Sequence, residues 1–561
     1  MTLFRKEPWS LVIALVLTAA LASPAQAQRA VPRNWHLLSY DTDSVYGIGA
    51  EKAYQQLLKD KTSTPVVVAV IDSGVDTTHE DIKSILWTNP GEIPGNGIDD
   101  DHNGFVDDVH GWNFLGSKDG KSLKEDSDEA TREYFRLKQQ YINPDSALTP
   151  NSPDYAYWKK LQDRIEKPMV QNKMTYKTMS KLQENLNKCE YVLKGALKKD
   201  DFSQADLDSL VSADNDVMIS RNFVLRLLQS TGEKDMTFQQ FKTEFEEYLL
   251  DLKRKAEATD VMPNANREAI VGDNFNDIKD NHYGNNDIMG SFAFHGTHVS
   301  GIIGAVRGNG IGIDGIAANV RIMAVKVVPD GDERDKDVAL GIRYAVDNGA
   351  RIINMSFGKF FSPHKDWVDD AIRYAESKGV LLIHAAGNEG SDNDSVPDYP
   401  NPDFADHSRA ANFITVGASG NGVTGSKIAG FSNYGKKEVD VFAPGVQIYS
   451  TIPEGNKYAS ASGTSMASPV VTGLAALLAS YFPDLSAEQL KYVIVKSATP
   501  LPDGTTMVNK PGTQDDEVAF ADLSVSGGIV NAYEAVKLAS TLKGERTKSE
   551  TKVKLKRGKR D

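Results

Sequence analysis

The chain of 561 residues contains a single cysteine, Cys189. A disulfide framework is therefore excluded, because each bridge needs a pair of cysteines. The fold must be stabilised by burial of its core or by bound ions. Cys189 falls on the apolar face of a predicted helix, which indicates a packing role and no catalytic one.

Uninterrupted apolar runs are short. Near the N-terminus, Leu11 to Leu21 spans only eleven residues, whereas a transmembrane helix needs about 20. Basic Arg5 and Lys6 precede this run and Ala25-Gln26-Ala27 follows it, which is the pattern of a secretory signal peptide over residues 1–27. We therefore expect no transmembrane anchor, cleavage after Ala27, and export to the periplasm or to the outside of the cell.

The chain also has fewer basic than acidic residues. The 63 Lys and Arg residues stand against 77 Asp and Glu residues, and the net charge of −14 argues against nucleic acid as a partner. The C-terminal end reverses this balance, since nine basic and three acidic residues from Lys543 onward give a local charge of +6. Such a block predicts a basic, disordered tail over residues 541–561. Contact with an anionic envelope surface is the alternative.

Two apolar runs predict buried parallel strands. Val66 to Ile71 ends at Asp72, and the run that begins at Leu381 leads to Asn388. Strands that are buried on both faces read as continuous apolar runs. Because open α/β sheets build their sites at the carboxyl ends of strands, Asp72 and Asn388 are candidate site residues.

Two further polar residues open predicted helices. One is His295, which begins the small-residue stretch His295-Gly296-Thr297-His298-Val299-Ser300-Gly301. The other is Ser465, which stands in Gly463-Thr464-Ser465-Met466-Ala467-Ser468-Pro469, ahead of an apolar helix. A helix N-terminus leaves N–H groups unpaired, and these can bind a developing oxyanion. A plain helix cap is the alternative interpretation of Ser465.

The other histidines of these segments have structural interpretations. His295 and His298 are three residues apart with no Glu between them, whereas a zinc-peptidase helix needs a spacing of four and a Glu. We therefore interpret His298 as a packed, hydrogen-bonded helix residue. His384 lies within the predicted strand before Ala385 and is interpreted as structural.

Asp, His, Asn and Ser in this order, each at a strand end or a helix start, resemble the subtilisin-like serine peptidases, or subtilases. The resemblance covers about Pro65 to Leu115 and about Arg267 to Leu538. It implies an α/β fold, a doubly wound, mostly parallel sheet with helices on both faces, plus a helical insertion. The catalytic domain is expected over residues 28–115 and 267–540. We expect a monomer that acts on protein or peptide substrates.

The resemblance also implies a role for each of the four residues. Ser465 would be the nucleophile, and His295 the general base that takes its proton and later returns it to the leaving amine. Asp72 would orient the imidazole, and Asn388 would form the oxyanion hole with the backbone N–H of Ser465. The alternative function is a catalytically silent, subtilase-like binding protein with the insertion as its partner surface.

Two segments that follow predicted strands are expected to line the substrate cleft by the same resemblance. They comprise Ser356, Phe357 and Gly358, and Ala385, Ala386 and Gly387. Their backbone would pair with a bound peptide as an added strand; a plain strand end is the alternative. None of the six side chains is charged, so we expect a broad or apolar preference at P1, the substrate residue before the cleaved bond.

The chain departs from the family pattern between Asp72 and His295. Residues 116–266 form a charged stretch with two amphipathic stripes at steps of three and four. The stripes are Met179, Leu182, Leu186, Cys189, Val192 and Ala196, and Phe238, Phe241, Phe245, Tyr248, Leu249 and Leu252. We predict a helical insertion with a core of its own. Our hypothesis is that it lies close to the cleft and shapes access to it.

An acidic stretch predicts a calcium site. Oxygen-bearing side chains occupy positions 1, 3 and 5 of a loop, and Gly104 at position 6 permits a sharp turn. Position 12 is His110, where an EF-hand has Glu, so Asp107 or Asp108 must close the shell. The predicted ligands are Asp99, Asp101, Asn103, Phe105, Asp107 and Asp108. The subtilase resemblance favours structural calcium; a solvated acidic turn is the alternative. A second candidate runs from Asp273 to Asp287.

Overall fold

The computed structural model describes residues 31–142, 153–231, 236–260, 262–263, 265–290 and 293–546. The predicted signal peptide, residues 1–27, and residues 547–561 of the predicted basic tail lie outside these ranges. The described residues form two compact units. One comprises residues 130–265, and the other comprises residues 31–129 together with 266–546.

A seven-stranded sheet forms the centre of the larger unit. Its strands are β1 Val66–Asp72, β2 Gly111–Asn113, β3 Val320–Lys326, β4 Ile352–Met355, β5 Leu381–Ala385, β6 Phe413–Ser419 and β7 Val441–Pro444. They lie in the order β2-β3-β1-β4-β5-β6-β7, and every neighbouring pair is parallel. The predicted α/β class with a mostly parallel sheet is confirmed.

The path of the chain creates a switch point beside β1. After β1 the chain builds β2 and β3 on one side of it, and then crosses over to build β4 to β7 on the other. Ligand sites of doubly wound sheets form where the strand order reverses, outside the carboxyl ends of the strands. Because β1 ends at Asp72 and β4 at Met355, residues 72 and 356 lie at this point.

Side chains of β1 alternate between two cores, one on each face of the sheet. Val68 and Val70 belong to one core, and Ala69 and Ile71 to the other. The first core is shared with the histidine helix, Phe294–Gly304, and the serine helix, Thr464–Tyr481; the second is shared with helices Asp335–Asp347 and Lys365–Ser377. The prediction of helices on both faces is confirmed.

Shorter elements complete the larger unit. Its other helices are Tyr40–Asp43, Ala50–Ala53, Ala487–Lys496 and Ala532–Ala539, with a π-helical turn at Tyr54–Leu58 and 3₁₀ turns at Trp35–Leu37, Lys83–Ile85 and Phe520–Asp522. Helix Ala265–Ile270 leads into its second half. Two antiparallel hairpins pair β8 Ile448–Ile452 with β9 Lys457–Ala461, and β10 Met507–Asn509 with β11 Glu517–Ala519.

The serine helix is the central core helix of the unit. Among the described residues it alone is long and apolar enough to cross a membrane, and 89% of its 18 residues are buried. It packs against β4, β5, β6 and β7. Its apolar character is therefore accounted for by the protein core that surrounds it.

The smaller unit is entirely helical within the described residues. Its helices are Glu129–Ile142, Pro153–Leu197, Gln204–Ser209, Asn215–Ser230 and Phe238–Glu257. The two predicted apolar stripes lie on the 45-residue helix Pro153–Leu197 and on Phe238–Glu257, and both helices contribute to one hydrophobic core. The predicted end of the first stripe was wrong: Leu193 and Leu197 lie in the core where Val192 and Ala196 were predicted, because these leucines continue the buried face of the helix. Cys189 is a free, half-buried thiol at the edge of this core.

The smaller unit begins at Ala130, later than the expected boundary at Gly116. Residues 116–129 belong to the larger unit because polar pairs bind them there. Arg334 pairs with Asp126 at 2.9 Å, and the backbone N–H of Asp126 donates to Asp330. The insertion was predicted from its high charge, and charge alone does not show which residues pair with the larger unit. The position of the insertion relative to the cleft stays a prediction.

Candidate active site

Asp72 and His295 meet at the carboxyl end of β1. The imidazole Nδ1 lies 2.7 Å from Asp72 Oδ1, which also accepts the backbone N–H of Ser73. The Asp72 side chain is 1% exposed, and that of His295 is 30% exposed. Because a carboxylate only accepts hydrogen bonds, Nδ1 carries the hydrogen, and the lone pair of a neutral ring lies on Nε2. The pair therefore presents a base nitrogen at a partly exposed surface.

A glycine allows the histidine helix to lie close to the end of β1. Gly296 follows His295 at the start of the histidine helix, and a Cβ atom at residue 296 would lie 2.2 Å from the backbone oxygen of Gly74. Any larger residue would push the helix away from the end of β1. The small residues that the sequence places after His295 thus allow close packing.

Ser465 is the second residue of the serine helix, which follows Gly463. Two reciprocal hydrogen bonds join it to the end of β4: Ser465 Oγ donates to the carbonyl oxygen of Ser356, and Ser356 Oγ donates to that of Ser465, both at 3.0 Å. The serine hydroxyl therefore stands at a helix N-terminus, at the same sheet edge as Asp72.

A buried amide holds the serine helix against β4. Asn354 Oδ1 accepts hydrogen bonds from Ser468 Oγ at 3.0 Å and Thr472 Oγ1 at 2.8 Å, and its Nδ2 donates to Ser356 Oγ at 2.9 Å. Such a satisfied polar network fixes one arrangement of the two elements. Sequence analysis did not select Asn354, although a lone amide within an apolar strand is a usable signal.

Asn388 is held by the residue that precedes the nucleophile candidate. Its Oδ1 accepts the backbone N–H of Thr464 at 2.9 Å and the Thr464 hydroxyl at 3.0 Å. This pairing identifies Oδ1, because a backbone N–H can only donate. The Nδ2 group thus keeps its N–H bonds for a further acceptor beside the N-terminus of the serine helix.

A second amide supports this loop. Asn433 Oδ1 accepts the N–H groups of Glu389 at 3.0 Å and Ser391 at 2.9 Å. Glu389 Oε2 in turn accepts the N–H of Asn388 and Asn433 Nδ2, each at 3.0 Å. Sequence reasoning missed Asn433, because nothing local to it signals a contact with the loop that follows Asn388.

The two predicted cleft segments follow neighbouring strands. Ser356, Phe357 and Gly358 come after β4, and Ala385 ends β5 ahead of Ala386 and Gly387. Since β4 and β5 are adjacent and parallel, both segments lie at the sheet edge that carries Asp72. His384 Nε2 joins them by donating to the carbonyl oxygen of Phe357 at 2.6 Å.

The structural interpretations of His298 and His384 agree with their surroundings. His298 is buried and its Nε2 lies 3.1 Å from the carbonyl oxygen of Ala459. Burial lowers the pKa of both imidazoles to about 4, so both rings are neutral near pH 7.

The acidic loop brings three carboxylates together. Ligand atoms of Glu92, Asp99 and Asp101 all lie within 4.8 Å of one another. Asp99 and Asp101 belong to the predicted calcium set; Glu92 does not, because it lies before the loop pattern that the sequence displays. Burial raises the pKa of Glu92, and the neighbouring charge of Asp101 adds to this. A divalent cation would relieve the crowding of negative charge.

The remaining predicted calcium ligands have protein partners. Asp107 accepts the backbone N–H groups of residues 95, 96 and 97. Asp108 accepts Asn89 Nδ2 at 2.7 Å and the Tyr344 hydroxyl at 2.6 Å, and burial raises its pKa to about 6. Asn103 donates to Asp101 and Asp108, and its Oδ1 accepts the N–H of Phe105. These four residues therefore shape the loop in this structure.

The second calcium candidate contains a buried ion-pair cluster. Asp273 pairs with Arg267 and Lys336, each at 2.8 Å. Arg267 also pairs with Asp337 at 2.6 Å, and the side chains of Arg267, Asp273 and Asp337 are fully buried. The carboxylate of Asp273 is thus neutralised by side chains of the protein.

Known proteins resemble this chain over the region of the site. The sequence profile of the subtilase family matches residues 63–518. A thermophilic serine proteinase of Bacillus sp. (strain AK1) is 45% identical over 205 residues, which are 36% of this chain and 46% of that protein. Subtilisin BL of Lederbergia lenta is 38% identical over 227 residues, 40% of this chain and 77% of that protein. Thermitase of Thermoactinomyces vulgaris is 37% identical over 243 residues, 43% and 74% of the two chains.

The match spans less than half of the first relative and most of the other two. The profile covers most of this chain, and Asp72, His295, Asn388 and Ser465 all fall inside it. The resemblance read from the four motifs is thereby confirmed: the chain belongs to the subtilase family.

Proposed function

We propose that this protein is a secreted serine endopeptidase that hydrolyses peptide bonds through an acyl-enzyme on Ser465. The observation that carries the proposal is the 2.7 Å contact between His295 Nδ1 and Asp72 Oδ1, at the sheet edge where the serine helix begins. Family membership supports the same activity. The signal-peptide pattern of residues 1–27 supports export.

The proposed reaction uses the four groups of this site. Ser465 Oγ attacks the substrate carbonyl carbon while His295 Nε2 takes its proton, and Asp72 stabilises the imidazolium that forms. The oxyanion accepts hydrogen bonds from Asn388 Nδ2 and the backbone N–H of Ser465. His295 then protonates the leaving amine, and a water molecule activated by the same ring hydrolyses the acyl-enzyme.

One rotation precedes this reaction. In the structure Ser465 Oγ donates to the carbonyl oxygen of Ser356, so the hydroxyl must turn towards His295 when substrate binds. Such a change is a single χ1 step between staggered rotamers. Catalytic hydrogen bonds commonly tighten only in the substrate complex.

Labelling with a fluorophosphonate tests the proposal, because this reagent phosphonylates only an activated serine. Wild-type protein is expected to be labelled and Ser465→Ala to remain unlabelled. Ser462→Ala, at an exposed serine of the same segment, is the matched control and should keep the label. Absence of Ser465-dependent label in folded protein would favour the alternative, a catalytically silent binding protein.

Asn388→Asp is expected to lower kcat by at least about 10²-fold, with KM little changed. Aspartate keeps an oxygen that can accept from Thr464 but replaces the donor Nδ2, so the helix N-terminus is held while the oxyanion loses a hydrogen bond. The size follows losses measured on a subtilisin, a member of the family. Steady-state kinetics on a peptide checks it; a loss below about tenfold would remove Asn388 from the oxyanion hole.

We also propose structural calcium at Glu92, Asp99 and Asp101. At a calcium concentration about 100 times Kd, the free energy of unfolding should rise by about 3 kcal/mol. Asp101→Asn should remove most of this rise, whereas Asp515→Asn, at an exposed aspartate, should not. Denaturant unfolding with calcium and with a chelator measures the difference. Equal unfolding midpoints in the two conditions would contradict the site.

A further inference from the structure

One buried carboxylate lies beside Gly358, which belongs to a segment that is predicted to line the substrate cleft. Asp398 is 8% exposed, and its Oδ2 is buried with no hydrogen-bond partner among the described residues. Leaving an acid in this state is unfavourable unless something pairs with it. The catalytic groups do not use it.

Its position is defined by backbone pairing. Lys359 and Tyr399 exchange two backbone hydrogen bonds, of 3.0 and 2.9 Å, which hold the segment of Asp398 alongside Gly358. A Cβ atom at residue 358 would lie 2.6 Å from Asp398 Oδ2 and 3.0 Å from Oδ1. The carboxylate therefore occupies the space that the missing side chain of Gly358 leaves open.

The same segment places Asp398 near the reacting serine. Ser356, whose carbonyl oxygen accepts from Ser465 Oγ at 3.0 Å, lies two residues before Gly358. Two residues of extended chain span at most about 7 Å. A lysine or arginine side chain of a bound peptide can cover this distance from a scissile bond beside Ser465.

Among the described residues, no ion pair neutralises Asp398. Lys359 already pairs with Glu129 and Asp335, each at 2.8 Å. Burial, and then the negative charges of Glu389 and Glu333, hold the pKa of Asp398 well above its usual range. A cation that arrives with the substrate would lower the pKa of Asp398 again, because it favours the ionised carboxylate.

We infer that Asp398 selects a cationic side chain, arginine or lysine, at the P1 position of the substrate. The inference rests on the proposed peptidase function. Two N–H groups of a guanidinium can bind the two carboxylate oxygens side by side. The six cleft residues named from the sequence are uncharged; the charge comes from a later segment that folds back against Gly358.

The test compares two peptides that differ only in P1, which is arginine in one and citrulline, its uncharged isostere, in the other. We expect wild-type kcat/KM to be about 100-fold higher for the arginine peptide. Asp398→Asn, which keeps the shape of the side chain, should reduce this ratio to a few-fold. A third peptide with leucine at P1 should be cleaved at similar rates by both proteins.

Two outcomes would overturn the inference: equal wild-type kcat/KM for arginine and citrulline, or an equal loss on all three peptides in Asp398→Asn. Fluorophosphonate labelling separates this result from failure of the proposed function. If Ser465 is labelled at the wild-type rate in both proteins, the peptidase machinery is intact and only the role of Asp398 is wrong. If no peptide is cleaved and no label appears, the peptidase function fails and the P1 inference falls with it.

Discussion

His295→Ala is expected to lower kcat on a peptide substrate by about 10⁶-fold, the loss measured for the equivalent change in a subtilisin. Without the imidazole no group can take the proton of Ser465 as it attacks, and none can return it to the leaving amine. The ring is 30% exposed, so its removal leaves the core packed. Single-turnover kinetics measures the loss, and the melting temperature should change little.

The double variant His295→Ala/Asp72→Asn provides the check on this interpretation. If Asp72 acts only through the imidazole, its substitution adds almost nothing once the ring is gone, because residues that act as a unit are strongly non-additive. A double variant slower than His295→Ala by a further large factor would contradict the arrangement. A loss below about 100-fold in His295→Ala alone would remove His295 from the role of base.

Asp72→Asn is expected to lower kcat by about 10⁴-fold. The amide keeps the shape of the carboxylate, but its NH₂ group can donate to His295 Nδ1 and so stabilise the tautomer with hydrogen on Nε2. That ring cannot accept the serine proton, and the imidazolium loses its counter-charge. Steady-state kinetics with active-site titration distinguishes a slower enzyme from a smaller active fraction.

Asp76→Asn is the matched control for this change. Asp76 lies in the same turn after β1, is 1% exposed, and its carboxylate accepts the N–H and hydroxyl of Thr78. The Asp76 carboxylate also accepts the backbone N–H of Glu454. We expect less than a tenfold change in kcat for Asp76→Asn. A loss as large as that of Asp72→Asn would mean that both variants act by disturbing the turn.

The strongest sequence signals were those in which one short segment carries the whole pattern. The run that ends at Asp72 predicts a buried strand with an acid at its tip, and β1 is Val66–Asp72. The serine helix begins at Thr464 and ends at Tyr481, and it is the apolar helix that the sequence predicts there. Local periodicity and strand composition contain this information, because burial on one or both faces dictates them.

Features that depend on contact between two distant segments could not be predicted from local sequence patterns. Glu92 joins Asp99 and Asp101 only because the chain turns back on itself. Asp398 lies against Gly358 because Lys359 and Tyr399 pair. No local pattern specifies which segments will meet, since register between them is set by packing of the completed sheet.

The strand order has a consequence for how the protein is made. β1 pairs only with β3 and β4 within the described sheet, and their first residues are Val320 and Ile352. During synthesis the apolar β1 therefore emerges long before either neighbour exists, and the whole helical unit is translated in between. An unpaired apolar strand is an aggregation hazard, and such non-local pairing slows folding. The nascent chain must keep β1 covered until the second half arrives, so its yield should depend on translation speed and chaperones more than its final stability does.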